Sequence, residues 1–241
     1  MTGQNNGVYA RFIKRILGTV LAATALLILS PLFLLLTLTG AAAMRGNPFF
    51  VQPRPGKISP KTGRERIFRL IKFRTMDNRC DKDGRLLPDA VRLNAYGRFL
   101  RKTSLDELPQ LLNVINGTHV FVGPRPMLVR DMVFMSPQVR RRHTVWPGIT
   151  GWAQVHGRNS ISWEEKFVYD LAYIDRGITF KGDLQILFMT VAQVFRHSDV
   201  NRKGTASDLD YGDWLLAEGR VTQEEYDKKQ REALELLRGV S

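Results

Sequence analysis

I-L-G-T-V-L-A-A-T-A-L-L-I-L-S-P-L-F-L-L-L-T-L-T-G-A-A-A-M, residues 16–44, contains no charged side chain. Its 29 residues exceed the ~20 that a helix needs to cross a hydrocarbon core. Ala41-Ala42-Ala43 resembles a signal-peptidase site, but the apolar run is about twice the usual ~7–15-residue signal core. Two features separate a plain span from a bent, re-entrant helix. Pro31, at the centre, has no N–H for the carbonyl of Leu27 and its ring crowds that turn, so a kink is expected. Ser30 is available to satisfy the freed backbone. Both flanks are basic: Arg11, Lys14 and Arg15 before, Arg45, Arg54, Lys57, Lys61 and Arg64 after. Lys and Arg favour the cytoplasmic side, so a straight span would leave one set on the wrong side. A helix that enters and leaves by one leaflet keeps both sets together. Kinked helices also span membranes, so the residues alone leave both topologies open.

Composition narrows the partners. The 241-residue chain carries 36 Lys+Arg against 23 Asp+Glu, a net charge of +13. That balance points to polyanions: phosphorylated substrates, an anionic bilayer surface or nucleic acid. One cysteine, Cys80, excludes an internal disulfide framework. The four histidines are scattered without metal-ligand spacing, and there is no Walker loop and no G-x-G-x-x-G.

The expected organisation is a basic flank (1–15), the membrane helix (16–44), a cytoplasmic catalytic domain (45–204) and an accessory helical tail (205–241). The fold class is α/β: a small mixed domain with short strands and interfacial helices, attached to an N-terminal re-entrant membrane helix. F-F-V-Q-P (49–53), I-F-R-L-I-K-F-R (67–74) and H-V-F-V-G (119–123) read as strands, the second placing Lys72 and Arg74 on one face. In G-P-R-P, two prolines hold Arg125 on a stiff loop suited to a bidentate phosphate contact. A helix is expected from Ser162 to Arg176 with Gly177 after it. Asp170 lies at the edge of its apolar stripe and needs a partner: Lys166 in a salt bridge, or a cation or substrate. D-L-Q-I-L-F-M-T-V-A-Q-V-F-R-H, from Asp183, suits a buried or interfacial helix.

In T-S-L-D-E-L-P-Q-L-L-N-V-I (103–115), Ser104 and Glu107 fit a capping box, and acids suit the positive end of a helix. By that reading Asp106 and Glu107 merely start a helix. The tail offers a short helix from Asp213 to Gly219 and a second one capped by Thr222 and Glu225.

Four motifs in fixed order alter the weight of that local reading: K-F-R-T-M (72–76), S-L-D-E-L-P-Q-L-L-N-V (104–114), F-V-G-P-R-P (121–126) and P-G-I-T-G-W-A-Q-V-x-G-R-N (147–159). With the upstream Ser30-Pro31 segment they resemble the bacterial sugar transferases, small monotopic polyprenol-phosphate phosphoglycosyl transferases, over residues 8–203. His156, where many relatives carry Asn, is a small departure. The resemblance implies a Mg²⁺-dependent transfer of sugar-1-phosphate from a UDP-sugar to undecaprenyl phosphate, releasing UMP. It implies an aspartyl intermediate on Asp106 with Glu107 assisting. Lys72, Arg125 and Arg158 would bind substrate phosphates, and Asp106 and Asp170 the metal. Ser30-Pro31 would form the membrane kink of a monotopic inner-membrane protein whose catalytic domain faces the cytoplasm. The basic surface suits anionic inner-leaflet lipid; no nucleic-acid partner is expected. The competing reading is a membrane-tethered basic module binding anionic lipid or nucleic acid, which leaves the D-E, G-P-R-P and G-R-N elements unexplained.

Overall fold

The computed structural model describes residues 7–157, 161–195 and 209–239. The chain divides into two units, one of residues 17–52 and 70–117, the other of 1–16, 53–69 and 118–241. Structure is mixed α/β with short strands. Strands β1 (Phe49–Ile58) and β2 (Glu65–Phe73) form one two-stranded sheet. Bonds from Arg74 N to Pro48 O (2.7 Å) and from Ser59 N to Arg64 O (2.8 Å) link opposite strand ends, so the pair is antiparallel. The strand ends at Phe73, leaving Arg74 just past it.

In the first unit the apolar run is broken where proline predicts. Helices Tyr9–Ile28 and Ser30–Met44 meet at a bend of 68°. Ser30 Oγ donates to Leu27 O at 2.8 Å, serving the carbonyl that Pro31 cannot. The helix begins earlier than expected, at Tyr9, within the basic flank. No single described helix is long and apolar enough to cross a membrane; the bent pair meets that test only together. The second limb is held along one side. Tyr96 Oη donates to Leu36 O (2.7 Å) and Asn94 Nδ2 to Ala43 O (3.1 Å). Leu36, Phe73 and Leu100 are buried together, and Phe73 stacks on Phe49 at 5.4 Å. Helix Ala95–Thr103 lies against the chain after β2: a Cβ at Gly97 would fall 1.9 Å from Thr75 O.

In the second unit, β3 (Val120–Val122) pairs in parallel with β4 (Gly148–Thr150), Val120 opposite Gly148 and Val122 opposite Thr150. Backbones approach so closely there that a Cβ on Gly148 would fall 2.1 Å from Gly123 N, and one on Gly151 2.2 Å from Gly123 O. The glycines of F-V-G-P-R-P and P-G-I-T-G-W are thus needed for mutual contact. Val122, Val145, Val155, Tyr173, Ile174, Ile178 and Ile186 form the core beneath.

The helix expected over 162–176 is Trp163–Asp175, with Ser162 and Glu165 forming a capping box and Gly177 at φ +82°. The apolar helix that follows spans Phe180–Phe195; Ile186 is buried while Phe180, Leu184, Phe188 and Val191 are exposed along one stripe. The tail forms helices Tyr211–Ala217 and Gln223–Arg238, and Thr222 caps the second. It is built into the unit: Ala233 is buried with Val129, Met132 and Val133. Arg130 pairs with Asp213, and Asp131 Oδ1 accepts from Gly212 N at 3.0 Å.

Candidate active site

Asp106 and Glu107 do not start an α-helix. Ser104 adopts a left-handed conformation (φ 56°) as the C-cap of Ala95–Thr103, and its side chain makes no N-terminal cap. The capping-box reading is corrected: Leu105–Glu107 is a single 3₁₀ turn, and the helix Gln110–Ile115 starts only after Pro109. Proline suits that entry because its fixed φ matches a first turn and its missing N–H would be unpaired anyway.

This short turn frees both carboxylates to face β2. Lys72 Nζ lies 3.0 Å from Glu107 Oε1 and 4.0 Å from Asp106 Oδ2, all three side chains being 16–20% exposed. Phe73, next along the strand, is buried with Leu100 and packs against Leu105 and Leu108, which flank the acids. Ile71 N donates to the buried Asn113 Oδ1 at 3.0 Å, tying the following helix to the strand. Lys72 and the acids are therefore positioned from both sides, by the strand and by the turn. Two carboxylates side by side in a partly desolvated place offer the oxygen donors that Mg²⁺ prefers.

Among the described residues, no three His, Cys, Asp or Glu side chains converge on one point suited to a metal. The donor set at Asp106-Glu107 nevertheless fits Mg²⁺, which binds through one or two carboxylates and completes its shell with water and substrate phosphates.

Arg125 is exposed between the buried Pro124 and Pro126, which anchor the loop, and its Nη1 donates to Ile149 O at 3.5 Å. Its carbonyl accepts from Arg142 Nη2 at 2.7 Å. Asp170 is buried, and Arg142 donates to its Oδ2 at 3.0 and 2.5 Å. Of the partners left open for Asp170, neither makes the ion pair: it is Arg142, while Lys166 Nζ stands 4.1 Å from the centroid of Trp163 and acts on Asp170 only through space. Burial pushes the Asp170 carboxyl up and Arg142 pulls against it. Arg142 engages Oδ2 alone; Oδ1 is buried without a hydrogen-bond partner. Sequence reasoning missed Arg142, which sits in an R-R-R-H run (140–143) that reads as a solvated basic patch. Arg158 lies outside the described residues.

Residues 9–197 match the family described as Bacterial sugar transferase. The chain is 48% identical over 174 residues to "Uncharacterized sugar transferase EpsL" of Bacillus subtilis (strain 168), covering 72% of this chain and 83% of that one. It is 34% identical to "Exopolysaccharide production protein ExoY" of Rhizobium meliloti (strain 1021), over 75% of this chain and 84% of the relative. It is 36% identical to "UDP-glucose:undecaprenyl-phosphate glucose-1-phosphate transferase" of Xanthomonas campestris pv. campestris, over 75% of this chain but 38% of that longer protein. The chain belongs to the bacterial sugar transferase family.

Proposed function

We propose that this protein transfers a sugar-1-phosphate from a UDP-sugar to undecaprenyl phosphate, releasing UMP, as an early membrane step of polysaccharide synthesis. The carrying observation is the Asp106-Glu107 pair held against Lys72 on a turn that is not a helix cap. Support comes from the names of relatives, which include a UDP-glucose:undecaprenyl-phosphate glucose-1-phosphate transferase and an "Undecaprenyl-phosphate galactose phosphotransferase".

The chemistry proceeds as follows. An Asp106 carboxylate oxygen attacks the phosphorus that bears the sugar; an Asp106–phosphorus bond forms and the bond to UMP breaks, UMP keeping the electron pair. The phosphate oxygen of undecaprenyl phosphate then attacks the same phosphorus and Asp106 leaves as a carboxylate. Phosphoryl transfer asks the protein for positioning and charge neutralisation more than for covalent subtlety. Bound Mg²⁺ would lower the repulsion between an anionic nucleophile and a diphosphate. Lys72 keeps the two acids oriented before substrate arrives and moves to phosphate oxygens when they compete for it. Glu107 supports the metal or a proton. Arg125 contacts substrate phosphate with its planar fork, and Arg158 is assigned the same kind of contact.

The bent helix pair is read as re-entrant and monotopic in the bacterial inner membrane, with catalysis on the cytoplasmic face. Leu17, Val20, Leu21, Leu27, Ile28, Leu34, Leu35 and Leu38 are all exposed on it, an apolar surface that water would not favour. The test of the reaction omits the lipid acceptor. Enzyme with Mg²⁺ and UDP-sugar should release about one UMP per site and gain a sugar-phosphate on Asp106 in peptide maps. Absence of a UMP burst, or an adduct on Glu107, overturns the mechanism.

A further inference from the structure

A second group of cations lies at the base of the membrane helix. Ala10, Arg11, Lys14, Lys57, Thr144 and Trp146 are among the residues that line a cleft there. Three of these residues are cations and none is a carboxylate. Lys14 is already neutralised, its Nζ lying 2.7 Å from Asp183 Oδ2. Arg11 and Lys57 therefore bring positive charge to the cleft without an acid in its wall. The half-buried Trp146 ring holds further charge beside it: the guanidinium of Arg15 stacks 4.5 Å from the ring centroid, and Lys57 Nζ lies 5.6 Å from it. Burial depresses the Lys57 ammonium below its ordinary range, and Arg15 and Arg11 depress it further. Cations brought together at such a cost are a recurrent way to receive an anion with several oxygens.

What surrounds the cleft identifies the source of that anion. The charge-free run starts at Ile16, directly after Arg15. Tyr9, one residue before Ala10, meets Phe180 edge to face at 5.7 Å. Phe180 in turn begins the exposed stripe Phe180, Leu184, Phe188 and Val191. Basic side chains and a tryptophan bordering apolar surface form the pattern of a membrane–water boundary, where phosphate headgroups lie.

We propose that the Arg11–Lys57–Trp146 cleft binds a phosphate-bearing anion, supplied by the headgroup of an acidic phospholipid. This rests on the membrane reading given above. The headgroup phosphate sits between Arg11 and Lys57, and its acyl chains run along the exposed apolar residues. The bound lipid thereby fixes how deeply the helix base lies in the leaflet.

The test uses the full chain in a non-ionic detergent, with native mass spectrometry to count adducts of phosphatidylglycerol, phosphatidylcholine and inorganic phosphate. Wild type should retain phosphatidylglycerol at least about tenfold better than phosphatidylcholine, the order expected for two charge-assisted contacts. Arg11→Gln/Lys57→Gln should abolish that preference. Arg11→Lys/Lys57→Arg should keep it, and Lys228→Gln/Arg231→Gln, which removes equal charge from the tail helix, should leave it unchanged. Equal phosphatidylglycerol retention by the Gln pair and wild type refutes the site. Inorganic phosphate that itself forms the adduct and displaces the lipid at millimolar concentration refutes the lipid as occupant. Carbonate washing of membranes separates the two levels. A chain that is washed off refutes the membrane reading; one that stays without headgroup preference refutes this cleft alone.

Discussion

Arg142 holds Asp170 and Arg125 at once, donating to the buried carboxylate at 2.5 and 3.0 Å and to the Arg125 carbonyl at 2.7 Å. One guanidinium thus links the helix Trp163–Asp175 to the backbone of the proline-stiffened loop. Removing one partner of such a pair leaves the other charged and buried, which costs about 3–5 kcal/mol. Asp170→Asn should lower thermal stability by that order while leaving the Mg²⁺ concentration for half-maximal turnover within about twofold. A tenfold rise in that concentration would return Asp170 to the metal.

Asp106→Asn keeps the side chain's shape and removes the attacking oxygen's charge. It should fold with stability within about 1 kcal/mol of wild type, bind UDP-sugar, and lose about 10³-fold or more in turnover. Glu107→Gln should also be impaired while still forming the Asp106 adduct. Steady-state rates with calorimetric binding of UDP-sugar separate these effects. Wild-type turnover in Asp106→Asn would reduce the acid to a structural role.

Arg125→Lys retains charge but loses the planar fork. A bidentate phosphate contact should then weaken about tenfold or more, read as a fall in kcat/KM for UDP-sugar. Unchanged kcat/KM would leave Arg125 a generic charge.

The bend makes a topological prediction. In a variant lacking Cys80, cysteines introduced at Asn5 and Phe50 should both be shielded from an impermeant reagent outside intact cells. Labelling of one alone would mean a span. Pro31→Ala restores a donor for Leu27 O, which Ser30 now serves at 2.8 Å, and should straighten the helix. The N-terminal cysteine should then become reactive outside.

Asp131 predicts a pH effect on the tail. Its carboxyl is pushed up to about 6 from 3.8 by burial, against the Gly212 N–H bond. The folded state therefore binds the proton more tightly than the unfolded one. Stability from this group is full below about 3.8, falls as pH rises toward 6, and is flat above. The difference is about 3 kcal/mol at most. Asp131→Asn should raise the melting temperature at pH 7.5 and change it little at pH 4, in paired scanning calorimetry. An Asn variant less stable at pH 7.5 would show that the ionised carboxylate is the better partner.

Much of this was legible because local chemistry decided it. Pro31 in an apolar run forces a break wherever the helix goes, and Ser162, Thr222 and Gly177 mark helix ends without help from distant residues. The dyad was misread locally because Ser104 serves the preceding helix in a conformation that usually signals itself through glycine. β4 was not read as a strand at all. Its three residues hold only by pairing with β3 across 28 positions, Val120 to Gly148. The same holds for Arg142, whose neighbours Arg140 and Arg141 give it the look of a solvated run until the partner Asp170 is known. Burial and partnership of charged groups are tertiary facts, and their sequence signal is weak.

The buried network of Tyr9, Lys14, Tyr173 and Asp183 has a consequence in time. Tyr9 and its acceptor Asp183 are 174 residues apart, and Lys14 donates to a tyrosine 159 residues on. A ribosome makes the apolar helix well before the groups that clasp its base. While the intervening chain is being synthesised, Lys14 has neither Asp183 nor Tyr173 and remains hydrated and fully charged. The base of the helix thus meets its surroundings during translation with its greatest positive charge, and surrenders Lys14 to the protein only once Tyr173 and Asp183 have emerged. Before that the segment is basic and apolar without its clasp; only the finished fold makes it a fixed part of the protein.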